Sequence, residues 1–419
     1  MFILKRISLL ISLLLIVLTA FGSVYALSEN AETSDTVDKG TLLKEKHEKF
    51  VLDAIQLIAR YGMDDISVYQ TDKAVERSST AWNILSKFDK GWFTKTKSRT
   101  FSNLSADNWT YVSETEFCVD VYCDFTVDYT YAKLQETFPC AYHFCIHQTD
   151  ARKDLWRIYD FHLLPNDEDA EKAARFTEEN EGISMYAISG KSFKGYMTII
   201  DDPSRVFVGS IDSYSSKSTG LRINQLVEKY DAFGGINGGA FSDPGGSGTG
   251  GSANGLVYSE GVQRRVHSPG GNTTKIIMGF DVNDKLIVGS FTTNQIPGLN
   301  LRDALAFNQA LVLNGERAEK LGGNYTTRTA IGQDADGRVL MLVAMGRQPD
   351  SLGANFDDLA DIMLEYGAVA AGNLDGGTST CMYLNGENVY SGYRLDVSRR
   401  IPTGFLIKKL GEKTPSEAE

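Results

Sequence analysis

The segment "NLDGGTSTCMYLNG", residues 373–386, places a single carboxylate between two apolar runs. The run before it, "GAVAAGNL", is typical of a buried strand, and "CMYL" is typical of a second one. Asp375 therefore lies at a sharp Gly-Gly turn, where no bulky neighbour shields it. Two roles are open for this residue: an aspartate that stabilises the turn through its own backbone, or a functional acid held at a strand end.

The surrounding region, from Ile183 onward, is dense in glycine and poor in proline. Short β-rich runs alternate with Asn-Gly and Asp-Gly dipeptides, which are typical of hairpin turns. Only the segments 218–230 and 355–366 show a firm helical pattern, the second with Asn355 as a possible N-cap. These features predict a strand-rich α+β domain with few helices.

One predicted hairpin is "TTRTAIGQDADGRVLMLVAMG", residues 326–346, which turns at Asp336-Gly337. Arg328 begins its first strand and shares a face with Ala330 and Gly332. These small neighbours leave room for the guanidinium group, so the position favours a binding role over a surface charge.

The N-terminal part, residues 41–165, has a different pattern. Helical spacing in "TLLKEKHEKFVLDAIQLIARYG" and around 71–88 precedes strand-like alternation from 108 to 164. This order resembles the cone-shaped nuclear-transport-factor-two-like (cystatin-like) domain. No acid–base pair is evident in it, and its histidines are expected in or on the sheet, so a spacer or binding role is predicted.

Four of the five cysteines lie in this N-terminal part. A hairpin register whose paired residue numbers add to 263 sets Cys118 opposite Cys145 and Cys123 opposite Cys140. Disulfides at both positions and buried free thiols are the two open alternatives. The fifth, Cys381, is expected to be a strand residue rather than a nucleophile, because no histidine lies near it in sequence.

The first 26 residues carry a targeting signal. Lys5 and Arg6 precede the apolar run 7–26, which ends in the small-residue pattern Val-Tyr-Ala. This pattern favours a cleaved signal peptide over an uncleaved membrane anchor, and both place the remaining chain outside the cytoplasm, secreted or held at the cell surface. The predicted divisions are 1–26 signal peptide or anchor, 27–40 linker, 41–165 N-terminal α+β domain, 166–182 charged linker or short solvated helix, 183–411 strand-rich domain and 412–419 tail.

Charge and motif content exclude several functions. With 54 acidic and 42 basic residues the net charge is −12, which argues against nucleic acid as a partner. Neither a GxGxxG helix opening nor a P-loop occurs, so nucleotide-binding folds are not indicated. The acidic segment "DVNDK", residues 281–285, is interpreted as a β-turn rather than a calcium site. We expect no metal and no cofactor.

Three glycine-rich pieces remain: 234–255, 267–272 and the opening segment. In "INGG" and "LDGG" each glycine pair follows a polar side chain at the end of an apolar strand. Glycine lets a ligand approach main-chain N–H groups, and successive N–H groups form anion-binding concavities. These two pieces therefore indicate a site, whereas 245–252 alone is adequately explained as a flexible hairpin loop.

Taken together, the ordered motifs resemble the phosphodiester glycosidase family, which includes the uncovering enzyme and bacterial exopolysaccharide-related proteins. The resemblance covers residues 185–410. The motifs are "YMTIIDDPSRVFVG", "FGGINGGAF", "HSPGG", "IIMGFD", "TTRTAIG", "DGRVLMLV", "NLDGGTSTCMYLNGE" and "RRIPTGFL".

The resemblance implies hydrolysis of a sugar C1–O bond with a phosphate monoester as leaving group, on a carbohydrate or glycosyl-phosphate substrate. Phosphate leaves readily, so the chemistry needs phosphate neutralisation and stabilisation of a positive sugar more than strong protonation. Asp375 would face the anomeric carbon as nucleophile, base or electrostatic partner. The other implied site residues are Arg328 and Arg399 as phosphate clamps, Asn237 toward sugar or phosphate, Gly238, Gly239, Gly376 and Gly377 as N–H donors, Ser379 toward substrate, and His267 as a weaker acid–base candidate.

Three positions depart from the family pattern. Met345 stands where many members carry aspartate, Thr378 replaces a third glycine, and Ala240 replaces an aromatic residue. These departures leave substrate identity open. The alternatives to an exported hydrolase are a non-catalytic glycan-binding or polysaccharide-assembly protein, and a conventional glycosidase with two carboxylates across its pocket.

Overall fold

The computed structural model describes residues 44, 47–56, 76, 96–129, 135–178, 181–215, 217–242, 249–266, 273–346, 351–392 and 397–410. By internal contacts the chain divides into residues 1–53 and 54–419. In the first unit, residue 44 and residues 47–53 are described, and all are helical. The helical run continues to residue 56, which confirms the first predicted helix. The helix predicted around 71–88 lies outside the described residues, residue 76 apart.

An antiparallel sheet follows, with strand order β1-β2-β3-β4. Its strands are β1 Thr96–Ser113, β2 Glu116–Tyr129, β3 Gln135–Asp150 and β4 Leu155–Leu164. The strand-like alternation predicted from 108 is confirmed, but β1 begins earlier. Its first half, "TKSRTFSNLSAD", is mostly polar because β1 is an edge strand, so apolar alternation does not reveal it.

The predicted hairpin register between β2 and β3 is confirmed at both cysteine positions. Cys118 and Cys145 form a disulfide. Cys123 and Cys140 also face each other, but neither belongs to a disulfide, so at this pair the alternative of buried thiols holds. Burial raises the pKa of the Cys123 thiol to about 12, which keeps it protonated.

One side of this sheet carries a partly buried acid–base pair that the sequence did not reveal. His143 Nδ1 lies 2.6 Å from Asp120 Oδ1, and the His143 ring stacks on His162 with centroids 4.7 Å apart. The two residues of the pair come from neighbouring strands, far apart in sequence, and only the register brings them together. The spacer or binding role of this sheet stays a prediction.

The charged segment after β4 contains helix α1, Asp167–Arg175. Asn166 caps it by accepting a hydrogen bond of 2.8 Å from Asp169 N. Ala173 and Phe176 are buried against the core, so the segment is a packed helix rather than a linker or a wholly solvated one.

The elements from residue 183 onward are strand-rich, as predicted, and both predicted helices are present, the first one shortened. They are β5 Ile183–Ser189, β6 Lys194–Ile200, β7 Val206–Ser210, α2 Ile223–Lys229, β8 Ala232–Asn237, β9 Phe241–Ser242, β10 Ser252–Ala253, β11 Leu256–Ser259, β12 Val262–Val266, β13 Thr274–Asp281, β14 Leu286–Thr292, β15 Leu301–Phe307, β16 Ala310–Leu313, β17 Glu316–Arg317, β18 Arg328–Asp334, β19 Val339–Ala344, α3 Phe356–Glu365, β20 Ala368–Leu374, β21 Cys381–Leu384, β22 Glu387–Ser391 and β23 Thr403–Lys408.

Three sheets organise these strands, apart from β9 and β10, which pair only with each other. Sheet I has the order β17-β16-β20-β18-β19-β6-β5, sheet II the order β22-β21-β8-β23-β7, and sheet III the order β12-β11-β15-β13-β14. The hairpin predicted to turn at Asp336-Gly337 is the antiparallel pair of β18 and β19. The strand-rich α+β fold class is therefore confirmed.

Strand β19, "VLMLVA", shows how the layers pack. Val339, Met341 and Val343 face a core shared with sheets II and III, whereas Leu340 and Leu342 face helix α3. Because both faces are buried, the strand reads as one apolar run rather than an alternation. Helix α2 covers the other face of sheet II. The apolar interior thus lies between sheets I, II and III, and polar side chains collect at strand ends.

In the part of the chain that the structure describes, no helix has both the length and the apolar character needed to span a bilayer. The apolar run 7–26 lies outside that part.

Candidate functional site

The candidate site lies where strands of sheets I and II end side by side. Asn237 is the last residue of β8, and Asp375 follows the last residue of β20. Asp375 N donates to Gly238 O at 3.1 Å, and Asn237 Nδ2 donates to Asp375 O at 2.7 Å. Two main-chain segments far apart in sequence are therefore joined at the predicted acid.

Asn237 acts in this junction with its whole side chain, which is 0% exposed. Its Oδ1 accepts hydrogen bonds from Thr329 Oγ1 at 2.7 Å and from Cys381 N at 3.0 Å. The carboxamide thus ties β18, β21 and the Asp375 turn to β8. We predicted contact with sugar or phosphate, but this geometry gives Asn237 a positioning role instead.

The four glycines direct their N–H groups into the protein. Gly238 N donates to Thr403 O at 2.9 Å and Gly239 N to Thr403 Oγ1 at 3.3 Å. Gly376 N donates to Asp375 Oδ1 at 3.0 Å, and Gly377 N to a main-chain carbonyl at 2.9 Å. The donors that we assigned to phosphate are therefore engaged within the protein, which corrects that expectation.

Glycine is required here for close packing. A Cβ on Gly238 would lie 2.4 Å from Thr403 Oγ1, and one on Gly239 would lie 2.6 Å from Ala306 O. Neither contact is sterically possible without movement of β15 or β23.

The Asp375 carboxylate is half-buried. Burial raises its pKa, while the Ser379 hydroxyl, the positive charge of Arg399 and the Gly376 N–H act in the opposite direction. Among the described residues no second carboxylate contributes to this shift. The site thus combines one poorly solvated acid with one hydroxyl and one guanidinium group.

Arg399 is held in place by its neighbours in the chain. Its Nη1 donates to Thr378 Oγ1 at 3.2 Å, and its guanidinium carbon lies 4.8 Å from the centroid of the Phe241 ring. On one side, Ser398 Oγ accepts from Ile223 N at 3.1 Å at the start of α2. On the other, Arg400 Nη1 donates to a main-chain carbonyl at 3.1 Å. These anchors fix the backbone that presents Arg399.

Arg328 begins β18 beside the Asp375 turn, but its guanidinium group is bound elsewhere. Nη2 donates to Asn324 O at 2.7 Å, Nε donates to Ala354 O at 3.2 Å, and the group stacks over Phe356 at 4.1 Å. The shared face with Ala330 is the one covered by α3, as the core cluster shows. The described contacts therefore make Arg328 a support of the neighbouring loop.

Sequence reasoning missed Thr327 and Thr403. Thr327 O accepts from Gly377 N at 2.9 Å, and Thr327 Oγ1 donates to Gly377 O at 2.5 Å. Thr403 accepts hydrogen bonds from the main-chain N–H groups of Gly238 and Gly239. Thr327 is next to Arg328, and Thr403 lies in the motif "RRIPTGFL". A threonine whose hydroxyl group binds the main chain has no distinctive pattern in the sequence, so neither residue was predicted.

Cys381 begins β21 and is buried. Burial raises the pKa of its thiol to about 12, and the nearby charge of Asp375 acts in the same direction. A thiol that stays protonated is a poor nucleophile. His267 lies outside the described residues.

Two places in the described residues carry side chains of the kinds that bind metal ions. Among the described residues, one group of three potential ligands stands close enough together: Cys118, His143 and Cys145. Its two cysteines are bonded to each other in a disulfide, so neither offers a thiolate to a metal ion. In "DVNDK", Asp281 Oδ1 accepts from Asn283 N at 2.8 Å and from Lys285 N at 3.0 Å, so the predicted turn is confirmed.

Comparison with known proteins agrees with the motifs. The model of the phosphodiester glycosidase family matches residues 230–408, which include Asn237, Arg328, Asp375 and Arg399. This region is a phosphodiester glycosidase family domain. No curated protein matches the chain.

Three solved structures are similar to the chain that carries this phosphodiester glycosidase domain. The first is the catalytic domain of zebrafish N-acetylglucosamine-1-phosphodiester alpha-N-acetylglucosaminidase, auto-inhibited by its pro-peptide, with 20% identity over 54% of this chain and 82% of that chain, and a TM-score of 0.44. The second is a putative exported protein from Burkholderia pseudomallei, with 12% identity, 73% and 97% coverage and a TM-score of 0.39. The third is a hypothetical protein from Synechocystis, with 11% identity, 74% and 81% coverage and a TM-score of 0.36.

Proposed function

We propose that the domain hydrolyses the bond between C1 of a sugar and the oxygen of a phosphodiester, giving free sugar and a phosphomonoester. Family membership of residues 230–408 supports this chemistry. The observation that carries it is the half-buried Asp375 carboxylate at the joined strand ends, with Arg399 bound to Thr378 of the same turn and its charge acting to lower the pKa of that carboxyl.

The proposed roles of Asp375 and Arg399 follow from the charges that develop during the reaction. As the C1–O bond breaks, the sugar ring becomes positive and the departing phosphate gains negative charge. Asp375 faces the ring, and a poorly solvated carboxylate interacts more strongly with a developing cation than one in bulk water. Arg399 neutralises the phosphate, which its planar guanidinium group can bind with two hydrogen bonds. Ser379 and Gly376 keep the carboxylate oriented by hydrogen bonds.

Two features favour this reaction over a conventional glycosidase. No described carboxylate contributes to the pKa shift of Asp375, and a phosphate leaving group needs less protonation than an alcohol. The substrate that we propose is a sugar-1-phosphodiester of a surface glycan or exopolysaccharide, met outside the cytoplasm. The Cys118–Cys145 disulfide supports an oxidising location.

The test is hydrolysis of a panel of synthetic sugar-1-phosphodiesters in water enriched in heavy oxygen. We expect loss of the diester signal by phosphorus NMR, with the heavy oxygen in the released sugar. Heavy oxygen in the phosphate would show P–O cleavage and contradict the proposed bond. No turnover on the whole panel, together with saturable binding of cell-wall polymers, would support the non-catalytic glycan-binding alternative.

A further inference from the structure

A cavity of about 350 Å³ lies where α1, the start of β3, strand β6 of sheet I and the edge strand β22 of sheet II meet. Its wall includes Phe138, Asn166, Lys172, Lys194, Tyr196 and Tyr390, and we name it the junction pocket. It shares no residue with the site around Asp375 and Arg399. Its volume is at the small end of ligand sites, which suits one sugar ring rather than a chain.

The floor of the junction pocket is held by a buried ion pair. Lys194 Nζ lies 3.1 Å from Asp169 Oδ2, with 8% and 15% of the two side chains exposed. Asn166 Nδ2 donates to Pro139 O at 2.7 Å and thereby fixes the start of α1 to β3. Buried charges are costly to desolvate, so the pair and the helix cap give the pocket a defined polar wall rather than a loose crevice.

Lys172 provides the second ammonium group. Its Nζ donates to Val389 O at 2.6 Å and lies 5.4 Å from the centroid of the Tyr196 ring. No described carboxylate forms an ion pair with Lys172. Burial lowers the pKa of its ammonium group, and the charges of Asp169 and Glu387 act in the opposite direction. An anion bound beside Lys172 would compensate the desolvation of the ammonium group.

We propose that the junction pocket binds a single acidic sugar, a uronic acid, with its carboxylate at Lys172. Aromatic rings of Phe138 and Tyr390 offer apolar surface to the sugar ring, and Glu168 offers a partner for hydroxyl groups. The inference is independent of the proposed hydrolysis, because it rests on other residues.

The experiment is isothermal titration of the full chain with D-glucuronate, methyl glucoside and inorganic phosphate, each used alone. We expect saturable binding of glucuronate, and binding at least about tenfold weaker for the neutral glucoside and for phosphate. Equal binding of the glucoside would overturn the role of the carboxylate. Equal binding of phosphate would overturn the sugar assignment, and absence of glucuronate binding would overturn the site.

Variants assign the binding to the pocket. Lys172→Met should abolish glucuronate binding, whereas Lys172→Arg should retain it. Lys229→Met is the control outside the pocket: Lys229 Nζ also donates to a main-chain carbonyl, at 2.9 Å, and lies over a tyrosine ring, at 5.3 Å, but it also pairs with the exposed Asp212 at 2.7 Å. Glu168→Gln changes an exposed residue and should tighten binding by removing a like charge. Unchanged affinity in both Lys172→Met and Glu168→Gln would place any binding elsewhere.

Discussion

The side chain of Asn237 donates a hydrogen bond of 2.7 Å to the carbonyl oxygen of Asp375. This bond joins the end of β8 in sheet II to the residue after β20 in sheet I. The position of the Asp375 carboxylate therefore depends on how sheets I and II pack together. Asn237 is the residue whose side chain makes this connection.

Removing the Asn237 side chain should destabilise the fold. Asn237→Ala leaves the Thr329 hydroxyl and the Cys381 N–H without their acceptor in a buried place, and we expect a loss of about 2–4 kcal/mol in the free energy of unfolding. Urea unfolding measures it. Asn283→Ala, at an exposed turn, is the control and should change stability much less. Equal losses in both variants would contradict the positioning role.

Arg399 should set the pH dependence of turnover. The folded-state pKa of Asp375 is raised by burial, and the charge of Arg399 opposes that rise. Since the carboxylate form is the active one, turnover increases as pH rises through this pKa. Arg399→Met should move that midpoint to higher pH and lower kcat/KM by about 10²–10³. Arg400→Met, the adjacent arginine, should leave the midpoint in place. If the midpoint of the pH profile does not move in Arg399→Met, the charge of Arg399 does not influence the Asp375 carboxylate, which would contradict this prediction.

Arg328 should matter for stability rather than for phosphate. Arg328→Met removes hydrogen bonds to two carbonyl groups and the stacking on Phe356, with an expected cost of about 1–3 kcal/mol. Arg317→Met removes exposed ion pairs with Asp357 and Asp361 and should cost less than about 1 kcal/mol. Thermal unfolding compares the two. Lost turnover in Arg328→Met at unchanged stability would restore Arg328 as a phosphate clamp.

His162 should make the protein less stable in mild acid. Burial and the neighbouring His143 lower its pKa below the model-peptide value of 6.5. As pH falls through 6.5, the unfolded chain takes up a proton at this position before the folded chain does, so the free energy of unfolding decreases until the lower folded pKa is passed. His162→Gln should flatten the decrease in urea unfolding between pH 7.5 and 5.5. Parallel profiles for the two proteins would exclude this contribution.

The sequence predicted those features of the fold that depend on residues close together in the chain. The cap at Asn355, the turn at Asp336-Gly337 and the strand register that aligns the cysteines follow from side-chain pattern and turn chemistry. The direction of Arg328 did not follow, because it depends on carbonyl groups of the segments before β18 and before α3. The engagement of the glycine amides by Thr403 likewise depends on a strand far away in sequence.

The measurement that most directly tests the central claim is sugar release by Asp375→Asn, with the exposed Asp212→Asn as control. We expect turnover to fall at least about a thousandfold. The melting temperature should not fall. The pKa of Asp375 in the folded protein is raised above 3.8, so its contribution to stability is present below pH 3.8 and is lost as pH rises through the folded pKa. At pH 7 the buried carboxylate therefore carries a desolvation cost. The neutral amide of Asp375→Asn removes that cost. Sugar release by Asp375→Asn at the wild-type rate would contradict the account.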